Sequence, residues 1–176
     1  MQNIICDIDG TVADISHRLG CIRNVRNDPD WKADWGMFHK LCPLDIPKHN
    51  VIEVVQRVRR AAHILTSGNN ALKLYFFSGR SDIVRDETIA WLDRHIDLGL
   101  RGSHDHDEYF EECLHMRVEG DYRPDVEIKK EMAARCRLTP DNTLCVFDDR
   151  QVVVDMWRRE GFQVMQVDAW KEINDA

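Results

Sequence analysis

The stretch Ile4-Ile5-Cys6-Asp7-Ile8-Asp9-Gly10-Thr11 decides the reading of the whole chain. Its apolar run predicts a buried strand, and strand alternation places Asp7 and Asp9 on one face at the carboxyl end. Gly10 then permits a tight turn. Two carboxylates delivered to a strand end ahead of a glycine turn suit a phosphate together with a hard, oxygen-seeking cation. A short D-x-D also occurs in ordinary turns, so the rest of the sequence must supply the partners.

Two more apolar runs end in polar clusters in the same way. Residues 72–77 lead into Ser78-Gly79-Arg80, and 144–147 lead into Asp148-Asp149-Arg150. Helical patterns over 51–62, 83–95, 125–137 and 152–159 separate the runs, and a short strand over 163–167 follows. Asp82 is placed to cap the second helix and Pro124 to open the third; Gly161 is placed to end the fourth. The alternation of strand and helix predicts an α/β fold: a parallel sheet with helices on both faces. In such sheets ligands bind beyond the carboxyl ends of the strands, so the three polar clusters should converge. Residues 14–49, with Trp31, Trp35 and Phe38 at roughly helical spacing, form an insertion after the first strand. It is expected to make a small, partly helical cap, although its aromatics would serve equally well packed on the main sheet.

The chain of 176 residues is 43% hydrophobic, sufficient for one globular domain over 1–176 without staples. Its 24 basic and 31 acidic residues give a net charge of -7, which argues against non-specific binding along a polyanion and leaves room for a local contact. Cys6, Cys21, Cys42, Cys113, Cys136 and Cys145 form no C-x-x-C pair and read as reduced thiols, hence a cytoplasmic protein. No apolar stretch reaches membrane-spanning length, and Asp7 cuts short the N-terminal run, so neither a signal peptide nor a membrane helix is expected.

The chemistry these residues permit is phosphoryl transfer through a carboxylate. Asp7 would attack phosphorus, and Asp9 would protonate the departing alkoxide and then deprotonate the attacking water, the two carboxyl groups being separated in pKa by their environments. Ser78 and the Gly79 amide would hold a phosphate oxygen. Adjacent acids at a strand end are costly without a cation, so Asp148 and Asp149 would complete a Mg2+ site with Asp7 and the carbonyl of Asp9. Lys129 would neutralise the nucleophile and the moving phosphoryl group, with Lys130 as its competitor. The segment 103–108, rich in His and Asp, reads as a solvated loop rather than a second metal site. Trp91 and Trp157 read as core, Tyr109 and Phe110 as locally packed, residues 66–70 as a loop, and 114–117 as a short strand that could aim Arg117 at the site.

In this order, Asp7 to Thr11, Ser78, Lys129 and Asp148-Asp149 resemble the haloacid dehalogenase (HAD) superfamily of phosphotransferases. The resemblance implies a Rossmann-like fold and a magnesium-dependent phosphomonoesterase. Asp9 separates such phosphatases from the dehalogenase members, which lack the second acid. Phe77 to Arg80, Gly120 to Asp125 and Asp148 to Arg159 are similar to the 3'-phosphatase domain of phage polynucleotide kinase-phosphatases and to related stand-alone phage proteins. By that resemblance the substrate is a phosphorylated nucleic acid end or a nucleotide, held by Gly10, Thr11, Gly79, Arg80, Arg117 and Arg123. The motif G-x-x-x-x-G-K-[ST] of a kinase partner is absent, so no kinase domain is expected in this chain. Free nucleotides or other small phosphomonoesters are the alternative substrates, and a phosphate-binding module without turnover is the non-enzymatic one.

Overall fold

The computed structural model describes residues 3–24, 27–65, 72–99 and 105–168, with the side chains of 62–65 excepted. The loop expected over 66–70, and residues 103 and 104 of the His/Asp segment, lie outside them. In chain order the elements are β1 (Asn3–Cys6), β2 (Ala13–Asp14), α1 (Trp35–Lys40), β3 (Ile46–Pro47), α2 (His49–Leu65), β4 (Lys73–Ser81), α3 (Arg85–His95), α4 (His106–Cys113), β5 (Leu114–Arg117), α5 (Asp125–Arg135), β6 (Thr143–Asp148), α6 (Gln151–Arg159) and β7 (Val164–Gln166). Short 3-10 turns over Ser16–Cys21, Cys42–Leu44, Asp82–Val84 and Pro140–Asn142 join them.

Five strands form one parallel sheet in the order β5-β4-β1-β6-β7. Strand alternation then divides the core in two. Ile4, Cys6, Leu74, Phe76, Cys145 and Phe147 face one layer, with Val55 of α2 and Trp91 and Leu92 of α3. Ile5, Tyr75, Phe77 and Val146 face the other, with Ile128 and Met132 of α5 and Val153, Met156 and Trp157 of α6. The period of two in the strands and of three to four in the helices produces this sandwich of helices on both sheet faces, as the sequence pattern predicts. The two tryptophans Trp91 and Trp157 are buried, at 1% exposure each.

Several boundaries differ from the pattern reading. β1 stops at Cys6, because the chain turns immediately after Asp7, whose amide donates to the Phe147 carbonyl at 2.9 Å, and folds back with Val12 and Ala13 amides on the Ile8 carbonyl. β4 runs on through Ser81, with a register irregularity against β5 between Ser78 and Ser81. Ser81, not Asp82, caps the following turn by accepting from the Ile83 amide; the Asp82 carboxylate accepts instead from the Glu119 amide at 2.9 Å. Pro124 is the N-cap of α5 rather than its first helical residue. Gly161 ends α6 at φ +89°, where a side chain would be strained. The segment beginning at His106 is not a loop. It is α4, whose Phe110 is buried and whose Tyr109 hydroxyl donates to the Leu74 carbonyl at 2.8 Å. His106 lies 2.5 Å from an Asp93 carboxylate oxygen, so its imidazole is spent on a helix-to-helix contact.

The insertion starts and finishes in a two-stranded antiparallel pair, Ala13 with Pro47 and Asp14 with Ile46. Between them α1 presents Phe38 to the main core, while Trp35 stands 54% exposed. Of the three aromatics, Phe38 thus packs on the main core as one reading expects, and Trp31 is partly buried. The described cysteines are all free thiols, and no described helix is long and apolar enough to cross a membrane.

Candidate active site

The carboxyl ends of β1, β4 and β6 meet, and each brings the polar cluster that follows its apolar run. Asp7, Asp148 and Asp149 are buried and offer carboxylate oxygens that all lie within 4.8 Å of one another. One ammonium is bonded directly to this group: Lys129 Nζ donates to Asp7 Oδ1 at 2.7 Å and to Asp148 Oδ2 at 2.8 Å. Helical geometry selects Lys129 over Lys130. Ile128, Lys129, Met132 and Ala133 share the buried face of α5, whereas Lys130 points out to Glu160 at 2.5 Å.

Three buried carboxylates against one ammonium leave excess negative charge in a poorly solvated place. Burial, with Asp148 and Asp149 nearby, holds the Asp7 carboxyl well above its usual range despite Lys129. Burial and Asp148 push Asp149 up to about 7. An all-oxygen donor set that is overcharged in this way fits a small divalent cation such as Mg2+, which Asp7, Asp148 and Asp149 would hold.

Asp9 has a different environment. Burial alone would raise its carboxyl, but the Arg80 and Arg18 guanidiniums outweigh it and hold it below the ordinary value. Arg80 Nε donates to Asp9 Oδ1 at 2.7 Å and Arg18 Nη2 donates to the same oxygen at 2.8 Å. Asp45 closes the ring, accepting from Arg18 Nε and Nη2 at 2.7 Å each and from Arg80 Nη2 at 2.6 Å. Arg18, Arg80 and Asp45 are buried, Arg18 resting on the Phe38 ring at 4.2 Å. Alternation therefore does not set the two acids of the motif side by side as equivalents. The Asp9 carboxylate lies outside the trio of Asp7, Asp148 and Asp149, so the expectation that it joins them in holding a cation is not met by its side chain.

The other expected residues take definite places. Thr11 Oγ1 lies 3.1 Å from Asp7 Oδ2 and 3.2 Å from Asp149 Oδ1. Gly10 has φ +89°, and a Cβ there would overlap the Asp149 carboxylate; only glycine allows this turn to pass so close. Ser78 is buried and its Oγ accepts from the Arg80 amide at 3.2 Å. A Cβ on Gly79 would come within 3.0 Å of Asp125 Oδ1. Arg80, expected to bind substrate, is fully enclosed and committed to Asp9 and Asp45. Arg117 is similarly committed: it donates to the Gly79 carbonyl at 3.1 Å, to the Asp121 and Arg123 carbonyls at 2.8 Å each, and to Asp125. Arg123 is half-exposed and pairs with Asp121 at 2.7 Å and Glu131 at 2.9 Å.

Arg18, Asp45, Lys48, Asp125 and Arg150 are site residues that pattern reading does not assign. Lys48 Nζ donates to the Gly10 carbonyl at 2.6 Å, and Arg150 pairs with Asp125 beside Gly79. Asp45 carries a faint signal, an acid set between Leu44 and Ile46 with prolines at 43 and 47. Nothing local marks Arg18, because its partners lie 9 and 27 residues away.

A family model described as the polynucleotide kinase PNKP phosphatase domain matches residues 1–170. The chain belongs to this family. It is thus a HAD-type phosphatase domain, a hydrolase by descent. Among solved structures, the PNKP-type phosphatase domain is similar to a chain in a structure of the Pnkp1/Rnl/Hen1 RNA repair complex, with 25% identity and a TM-score of 0.60 over 94% of this chain and 42% of that one. A second structure of a Pnkp1/Rnl/Hen1 complex gives 26% identity and a TM-score of 0.63 over 94% and 45%. The chain spans less than half the length of these relatives. A HAD family enzyme from Bacteroides thetaiotaomicron, in a magnesium complex, shows a remoter likeness, with 12% identity and a TM-score of 0.46 over 98% of this chain and 96% of that one. No curated protein sequence matches the chain.

Proposed function

We propose that this PNKP-type phosphatase domain is a Mg2+-dependent phosphomonoesterase that removes the 3'-phosphate from polynucleotide ends through an aspartyl-phosphate on Asp7. The observation that carries the reading is the division of labour between the two acids of the first motif. Asp7 sits with Lys129 and the trio of carboxylates, whereas Asp9 is held apart by two guanidiniums.

Asp7, Asp148 and Asp149 would hold the cation, which when bound neutralises the trio and draws charge from the phosphoryl oxygens. Lys129, fixed against Asp7 and Asp148, screens the approach of an anionic ester to an anionic nucleophile. Ser78 and the Gly79 amide, near the carboxyl end of β4, would receive a phosphoryl oxygen. The Asp7 carboxylate displaces the alkoxide, which takes a proton from Asp9; Asp9 then accepts a proton from the water that cleaves the acyl phosphate. The guanidinium clamp favours the anionic form of Asp9, which suits the second half of the cycle. The first half requires Asp9 to enter protonated.

The family supports the polynucleotide reading, and the RNA repair complex of the two relatives accords with it. Free nucleotides are the second reading, favoured by the net charge of -7, which weakens long-range attraction to a polyanion. The experiment is phosphate release, with and without Mg2+, from matched 3'- and 5'-phosphorylated oligonucleotides and from mononucleotides. We expect activity with Mg2+ only, and the highest kcat/KM on the 3'-phosphorylated oligonucleotide. Equal turnover of a mononucleotide would move the reading to nucleotide metabolism, and 5'-preference would overturn it. Asp9→Asn is expected to lower kcat on the order of 100-fold or more. An unchanged rate would remove Asp9 from both proton transfers.

A further inference from the structure

Tyr122 stands 92% exposed, the most open of the large apolar side chains among the described residues. The backbone on either side of it, by contrast, is fastened. The Asp121 amide donates to the Val118 carbonyl at 3.0 Å, and the Arg123 amide to Asp121 Oδ1 at 3.0 Å. The Glu119 amide is held by Asp82, and Arg117 grips the carbonyls of Asp121 and Arg123, one on each side of the tyrosine. A loop whose polar groups are consumed in fixing its own shape has little conformational entropy left to lose, so whatever it displays is preorganised. What it displays is an aromatic ring with a polar tip, a group that ordinarily finds burial or a partner.

The position of the loop indicates the partner. It leaves the carboxyl end of β5, the edge of the sheet where Asp7, Ser78 and Asp148 gather. The same Arg117 guanidinium that holds both sides of Tyr122 donates through Nε to the Gly79 carbonyl. One side chain therefore bridges the phosphate-binding end of β4 and the backbone around Tyr122. The Gly79 carbonyl and the carbonyls flanking Tyr122 are separated by one guanidinium and two hydrogen bonds. A nucleotide whose 3'-phosphate reaches Gly79 carries its base about one sugar's breadth away. Stacking on an aromatic ring tolerates every base, because every base has a π-face.

Resting on the proposed function, we infer that Tyr122 is the stacking platform for the nucleobase of the nucleotide that carries the scissile phosphate. It would be a specificity residue of the substrate site, its flanking backbone tied to Gly79 through Arg117.

The test compares two 3'-phosphorylated oligonucleotides, one normal and one whose terminal nucleotide is abasic, with a nucleoside 3'-monophosphate and ribose 3-phosphate as the corresponding small pair. The readout is the ratio of kcat/KM for the base-bearing over the base-free member. Tyr122→Ala should lower this ratio about tenfold, the order expected for losing one stacked base, and Tyr122→Phe should restore it. The full exposure of the ring makes misfolding of either variant no obstacle. An unchanged ratio in Tyr122→Ala, with wild type active, overturns the inference and leaves the phosphatase reading intact. Activity confined to the small pair overturns the polynucleotide reading while the ratio still decides the role of Tyr122. Wild type inactive on all four substrates overturns both.

Discussion

Asp7→Asn is expected to lower phosphate release by at least about 10^4-fold while the protein stays folded. As the proposed nucleophile, Asp7 has no substitute among the described residues: Asp148 shares Lys129 but belongs to a different strand end, and Asp9 is held by Arg80 and Arg18. Removing the attacking group of a covalent pathway costs far more than removing a group that merely assists it. Stability should move little or improve. Asp7 is one of three crowded, buried carboxylates, and an amide relieves repulsion from Asp148 and Asp149 while retaining the Oδ1 acceptor for Lys129. The measurements are single-turnover phosphate release and a melting curve for the same sample. Loss of activity together with a lowered Tm would assign Asp7 a structural role instead. Residual turnover within about tenfold of wild type would exclude the aspartyl-phosphate pathway.

Arg80→Met should lower stability by about 3–5 kcal/mol, the cost of breaking a buried ionic network from one side. For a domain of this length that corresponds to roughly 6–20 °C in Tm. The reason lies in what remains. Asp45 is fully buried and would keep Arg18 as its one guanidinium, and Asp9 would lose one of the two guanidiniums that hold it anionic. Burial already lifts the Asp45 carboxyl, so losing a cation pushes that group further from its preferred ionised state. Combining Arg80→Met with Asp45→Asn removes the stranded charge and should recover part of the loss, a non-additivity that separates electrostatics from packing. Arg123→Met, which removes a half-exposed partner of Asp121 and Glu131, serves as the control and should leave Tm near wild type. If Arg80→Met melts no lower than Arg123→Met, the ring of Asp9, Arg18, Asp45 and Arg80 does not contribute to the fold.

The ring also ties the 14–49 insertion to the first motif. Arg18 and Asp45 both come from it: Arg18 donates to Asp9, and Asp45 accepts from Arg80, which donates to Asp9. If Asp9 carries the proposed proton transfers, substitutions in the insertion should reach the chemistry through it.

Amino-acid order by itself determined the sheet, the helices on both its faces and the meeting of three polar clusters. Each of these follows from local periodicity. A buried parallel strand must be apolar along its length, so a sudden Asp7 or Asp148 after such a run marks the strand's end, and Ser78 comes three residues before the end of β4. It also brought Lys129 to the correct helix, but choosing Lys129 over Lys130 required knowing which face of α5 meets the sheet. The ring around Asp9 was decided only by tertiary structure. Arg18 and Arg80, which bond Asp9, and Asp45, which bonds both of them, lie 9, 71 and 36 residues from Asp9, and a buried ion pair imposes no pattern on the residues beside it. Arg80 and Arg117 illustrate the same limit from the opposite side. An arginine near a phosphate site reads as a ligand for substrate, whereas here the unmet acceptors of the protein's own loops and carboxylates claim both guanidiniums first. Helix α4 was hidden for a related reason: its first turn, His106-Asp107-Glu108, is polar, and its burial depends on Phe110 and Cys113 meeting a core that only the folded sheet creates.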